Sequence, residues 1–137
     1  MEEQIRSNAE LVRTVAQKSL GVDAGFDEDG VRWLDQYIDG QREAATEEVK
    51  DRLPNTLGAF LGECIRQTFG GQWIQEEMGW AVKINEKLTL YPFNKVRKQL
   101  SNPEGDSVLS LFTTIPALLQ RTSTATAAAK QPWWKIW

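Results

Sequence analysis

The sequence predicts an α+β domain in which helices pack on one face of a three-stranded antiparallel meander, in the order α-α-α-β-β-β-α-α. Three observations predict it. Apolar residues recur at helical spacing over the first half of the chain, the spacing switches to alternation between residues 72 and 91, and helical spacing returns after Pro92. At 137 residues the chain is long enough for one domain with a real core and too short for two large ones. A composition of 41% hydrophobic and 26% charged residues is that of an ordinary globular protein.

Ile5, Ala9, Val12, Ala16 and Leu20 share one helical face, and Gly21 supplies a stop, which predicts a first helix over about 3–20. A loop through Asp23, Gly25 and Asp27 leads to a second periodic run, Val31, Leu34, Tyr37 and Ile38, with Trp33 beside it. Gly40 is placed to end or weaken that helix. Gln41 to Arg52 has no apolar stripe and reads as an exposed helical continuation. Pro54 suits the first turn of a third helix, where its missing N–H has no partner to lose. Leu57, Phe60, Leu61, Cys64, Ile65, Thr68 and Phe69 then form a broad stripe, stopped by Gly70-Gly71, which makes this the central buried helix.

Alternation follows. A first strand is expected over 72–77, joined through Met78-Gly79 to a second in which Trp80, Val82 and Ile84 alternate with Ala81, Lys83 and Asn85. Asn85-Glu86 is short enough for a tight turn with Asn at positive φ, and Leu88 and Leu90 mark a third strand that Tyr91-Pro92 ends. Phe93, Val96 and Leu100 define a short helix whose other face carries Lys95, Arg97 and Lys98. After the turn Asn102-Pro103-Glu104-Gly105, Asp106 is a candidate N-cap for a last helix with Val108, Leu109, Leu111, Phe112 and Ile115, which Pro116 should kink or restart. The domain is therefore drawn over 1–121, followed over 122–137 by a flexible Thr/Ser/Ala linker and a Trp-rich C-terminal tail.

The chain has no His and one Cys. Without imidazole, the Ser-His-Asp triad, a proton shuttle and a conventional zinc site are all excluded, and one Cys cannot form an internal disulfide. No Walker A loop, dinucleotide fingerprint or nucleophile elbow occurs. No cofactor or metal is expected. Asp27, Asp29 and Gly30 resemble the middle of a calcium loop, but the register puts Gly25 at the first position and Gln36 at the twelfth, so both key acids are missing. These acids read as charge stabilisation at a helix start.

Candidate site residues remain in two places. Glu63, on the most apolar helix, either gains a raised pKa and acts as an acid or base, or pairs with Arg66 one turn along, or satisfies backbone donors at the sheet edge; with Arg66 and Trp73 it forms a candidate polar core or pocket. Cys64 reads as a small buried hydrophobe. The second place is the tail, where Trp133, Trp134 and Trp137 with Ile136 gather half of the six tryptophans into five residues. Ordering five residues costs roughly 5 to 10 kcal/mol, and burying these side chains returns roughly 6 to 12, so the tail docks only into a groove that already exists.

The net charge of −3 conceals −6 over 1–52, −1 over 53–85 and +4 over 86–137. Lys87, Lys95, Arg97 and Lys98 near Tyr91 are candidates to contact phosphates and stack on a base, but the acidic first half would repel a long polyanion, which argues against nucleic acid. The acidic start has no apolar signal region and no stretch approaches a spanning helix, so a cytoplasmic protein is expected and a membrane partner is not.

From Leu57 to about Phe112 the chain resembles a family of small bacterial α+β domains of unknown function. The resemblance is carried by Leu61-Gly62-Glu63, Gly70-Gly71-Gln72-Trp73, Pro92-Phe93 with Val96, and Gly105-Asp106-Ser107. It implies a bacterial origin and a helical layer on a small meander, and supplies no activity. The function expected from all of this is a non-catalytic protein-interaction module, an adaptor or inhibitor-like protein, using an exposed aromatic surface or self-associating through the tail. The alternatives are a small-ligand protein or enzyme using Glu63, and peripheral membrane attachment through the tail.

Overall fold

The computed structural model describes residues 2–102 and 105–124. Over these residues the fold is α+β, with five helices and one three-stranded antiparallel sheet. Helix α1 (Glu2–Leu20) buries Ile5, Ala9, Val12 and Ala16, the stripe its spacing dictates. Helix α2 (Glu28–Ala44) starts at Asp27, whose carboxylate accepts the Gly30 N–H at 3.0 Å, so the acid that resembled a calcium ligand is an N-cap.

Helix α3 (Glu47–Phe69) is the centre of the molecule and packs against α1, α2 and α4 and the middle strand. It starts earlier than Pro54. Thr46 caps it by accepting the Val49 N–H at 3.3 Å, and Glu47 and Glu48 fill the first turn, where carboxylates favour the helix dipole. Pro54 therefore lies inside the helix, where the ladder skips the bond that the Lys50 carbonyl would accept; burial of the ring offsets the loss. The polar stretch Gln41 to Arg52 is helical as expected but divides at Ala45, whose extended backbone separates α2 from α3, and Gly40 does not end α2.

Strands β1 (Gln72–Glu76), β2 (Gly79–Asn85) and β3 (Leu88–Leu90) form the meander in sequence order. Trp73 pairs with Val82 and Val82 with Leu90, so one cross-strand row faces the core. Alternation is imperfect because Ala81 and Thr89 are also buried, side chains small enough to vanish beneath their neighbours. β1 ends at Glu76 rather than 77, and the first turn is Glu77-Met78, with Gly79 at φ 115°. The second turn is Glu86-Lys87 and needs no positive φ at Asn85: the Asn85 side-chain oxygen accepts the Lys87 N–H at 2.8 Å, and the register slips between Lys83 and Asn85.

Helix α4 (Pro92–Ser101) buries Val96 and Leu100 but also Lys95 and Gln99, so Lys95 does not belong to the solvated face with Arg97 and Lys98. Gln99 joins three helices. Its amide nitrogen donates to Asp35 Oδ1 at 3.0 Å and Asp39 Oδ1 at 3.1 Å on α2, and its amide oxygen accepts the Val108 N–H at 2.8 Å. Arg42 Nε donates to the Gln99 backbone carbonyl at 2.8 Å. Helix α5 (Val108–Thr124) is capped by Ser107, whose hydroxyl accepts the Ser110 N–H at 3.1 Å, and not by Asp106. It runs on past Pro116 to Thr124, three residues into the stretch read as linker. The rest of that linker, and the tail residues Trp133, Trp134, Ile136 and Trp137, lie outside the described residues.

Candidate functional site

The structure brings Glu63, Arg66 and Trp73 together. Two glycines make this possible. Gly58 and Gly62, one turn apart on α3, leave a smooth strip: a Cβ at Gly62 would overlap the six-membered ring of Trp73, and one at Gly58 would lie 2.8 Å from the Phe93 backbone. Trp73 from β1 and Phe93 from α4 lie in this strip with ring centroids 5.7 Å apart. That position carries the Trp73 indole nitrogen to Glu63 Oε2 at 2.8 Å. The Arg66 fork grips the same carboxylate, Nε to Oε2 at 2.8 Å and Nη2 to Oε1 at 2.9 Å, and Gln67 donates to Oε1 at 3.1 Å.

Glu63 is only 3% exposed. Burial alone would raise its pKa, but the hydrogen bonds from Arg66, Trp73 and Gln67, with the Arg66 charge, outweigh it and hold the group near 2. At neutral pH such a carboxylate is a weak base with no proton to give. The raised-pKa reading of Glu63 is therefore overturned, because the donors that Arg66 and Trp73 bring exceed the loss of water. Cys64, the next residue, is fully buried, and its thiol pKa is pushed far up, chiefly by desolvation. It carries no thiolate at neutral pH to act as a nucleophile.

Open depressions border α4. Arg97 borders three depressions there. One, of about 540 Å³, is lined by Lys95, Arg97, Lys98, Ser101, Asn102, Gly105 and Asp106. A second, of about 240 Å³, lies between Met78, Trp80, Phe93 and Arg97, with Asn55 and Asn94 at its edge. The third, of about 270 Å³, runs between α4 and the start of α3, past Arg42, Lys50 and Asp51. None of the three is lined by Glu63, and none by Lys87 or Tyr91, so the four-cation group read from the sequence splits. Lys87 is in the β2–β3 turn, while the others stay on α4.

Met78 is the most exposed large hydrophobic among the described residues, at 67%. It was missed in the sequence because a turn Met has no period to betray it. Gly58 and Gly62 were legible as a pair four residues apart inside an apolar stripe, the signature of a helix face that another element approaches closely. Among the described residues no group of three or more His, Cys, Asp or Glu is arranged to hold a metal, and no helix is long and apolar enough to cross a membrane. No protein-family model, curated protein or solved structure matches the chain, so the likeness of residues 57–112 to a bacterial domain family rests on the residues that suggested it.

Proposed function

We propose that the chain is a non-catalytic protein-interaction module that holds its partner at the depression between Met78, Trp80 and Phe93. The observation that carries this reading is the pairing of an apolar notch with a guanidinium: Trp80 and Phe93 are half-buried, Met78 stands out beside them, and Arg97 closes one edge. Tryptophan, methionine and arginine are the residue types that interface cores favour, and a notch of this size takes one side chain. The occupant is a partner's apolar side chain followed by a carboxylate for Arg97. The locking of Glu63 and Cys64 supports a binding role, since the two buried reactive groups of α3 are held in unreactive states.

The test is capture from the native cell with the full chain, repeated with Met78→Glu and Trp80→Ala after circular dichroism has shown both to be folded. A partner retained by the parent chain and lost by both variants supports the reading. A partner that survives both and disappears on deletion of Gln131–Trp137 moves the interface to Trp133, Trp134, Ile136 and Trp137.

A further inference from the structure

We propose that the free edge of β1 pairs with the same edge of a second copy of this chain, so that two meanders join into one continuous antiparallel sheet. β1 stands at the end of the sheet, and β2 is the only strand paired with it. Residues 77 and 78 form a two-residue turn, so Glu76 and Gly79 are the hydrogen-bonded pair that closes the hairpin. Such pairs alternate along an antiparallel ladder. Gln72, Ile74 and Glu76 therefore direct their backbone groups at β2, while Trp73 and Gln75 turn theirs outward. Among the described residues no turn, cap or side chain takes up those outward N–H and C=O groups.

The edge also lacks the usual protection. Edge strands discourage pairing with a lysine, a proline or a bulge. β1 has none of these: it reads Gln72, Trp73, Ile74, Gln75, Glu76 and pairs with β2 in unbroken register. All of its side chains except Trp73 are exposed or half-buried. β3, at the other edge, is only 3 residues long, and each of them is buried.

A second copy fits this edge because β1 is symmetric about Ile74. With a two-fold axis through Ile74 and perpendicular to the sheet, Trp73 of each copy faces Gln75 of the other. These two pairs exchange their hydrogen bonds and use every outward group. Gln72 of each copy faces Glu76 of the other, an amide donor opposite a carboxylate. Glu76 carries the only charge on β1, and the two copies of it stand about 14 Å apart at ~3.4 Å per residue, beyond the ~8 Å screening length of physiological salt. Ile74, half-buried in the single chain, meets its own copy on the axis at the close spacing of a non-hydrogen-bonded pair. The contact is one strand wide, so the dimer is reversible and its population rises with concentration.

Sedimentation of the full chain over a concentration series, with amide hydrogen exchange followed by NMR, tests this. A monomer–dimer equilibrium is expected, and exchange at the Trp73 and Gln75 amides should slow in step with the dimer population. Ile74→Lys sets like charges face to face on the axis, and Gln75→Pro removes an outward N–H that the chain's own ladder does not use; each should weaken the dimer about tenfold or more. Ile74→Lys changes a half-exposed side chain and carries the test if Gln75→Pro does not fold. A monomer at every concentration, or a dimer of unchanged strength in Ile74→Lys, would overturn the pairing. A dimer that disappears on deletion of Gln131–Trp137 while Trp73 and Gln75 exchange at one rate throughout would move the contact to the tail and overturn it equally. Trp80→Ala, which opens the notch of the interaction surface, should leave the dimer intact, so the two proposals fail separately.

Discussion

Glu63 and Lys95 are buried to nearly the same depth, 3% and 5% exposed, yet their surroundings treat charge in opposite ways. Both lose water. At Glu63 directional donors on both oxygens more than replace it, and the pKa falls to about 2. At Lys95 burial dominates, the attraction of Asp106 opposes it, the repulsion of Lys98 adds to it, and the pKa falls below that of an ordinary lysine, so the charged form is disfavoured. The difference shows that burial does not decide a charge's fate; the geometry of what replaces water does.

The largest effect expected from breaking this contrast is at Trp73. Trp73→Ala empties the glycine strip of α3 and removes one donor from Glu63, and the truncation alone is worth about 3 to 5 kcal/mol. Urea denaturation should show a loss of about 5 kcal/mol. Acid titration should show the next. Below the ordinary glutamate value of 4.5 the unfolded chain takes up a proton that the folded chain refuses until about pH 2, so stability drops as pH falls through that window. At 1.36 kcal/mol per pH unit the total is about 3 kcal/mol. Denaturation midpoints from pH 6 to 2 should fall more steeply for the parent chain than for Glu63→Gln, the difference growing below pH 4.5.

Gln99 supplies a neutral reference beside Lys95. Gln99→Ala leaves the buried Val108 N–H without its acceptor and Asp35 and Asp39 without a shared donor, and should cost about 2 kcal/mol in the same urea assay. Lys95→Met should cost less stability than Glu63→Gln in the same assay, because burial disfavours the Lys95 charge and the aliphatic stem is kept. A loss as large as that of Glu63→Gln would mean that the ammonium is as well compensated as the Glu63 carboxylate, and the contrast would collapse. Lys98→Glu, at an exposed position, should change stability by less than about 0.5 kcal/mol.

Element order was legible because each stretch has a period that only one secondary structure satisfies. Ile5, Ala9, Val12 and Ala16 cannot share a face except on a helix, and Trp80, Val82 and Ile84 cannot except on a strand. Boundaries failed where capping chemistry rather than burial sets them. Thr46 followed by two glutamates is a strong helix start, but Pro54 lies nearer the apolar stripe and drew the boundary seven residues too late, at 54 instead of 47. Asp106 and Ser107 are both good caps, and local sequence could not choose between them. The pairing of Glu63 with Arg66 follows from helical spacing, whereas the Trp73 donor depends on how β1 turns back over α3 and on glycines that admit an indole. Lys95 shares the α4 turn of Arg97 and Lys98, and only packing against neighbouring elements reveals that it points inward.

The first amide of α5 is satisfied by a side chain borrowed from α4, nine residues earlier in the chain. That segment therefore has no complete start of its own. Detaching α5 would strand the Gln99 amide oxygen as surely as the Val108 N–H, so neither helix keeps its polar groups satisfied without the other.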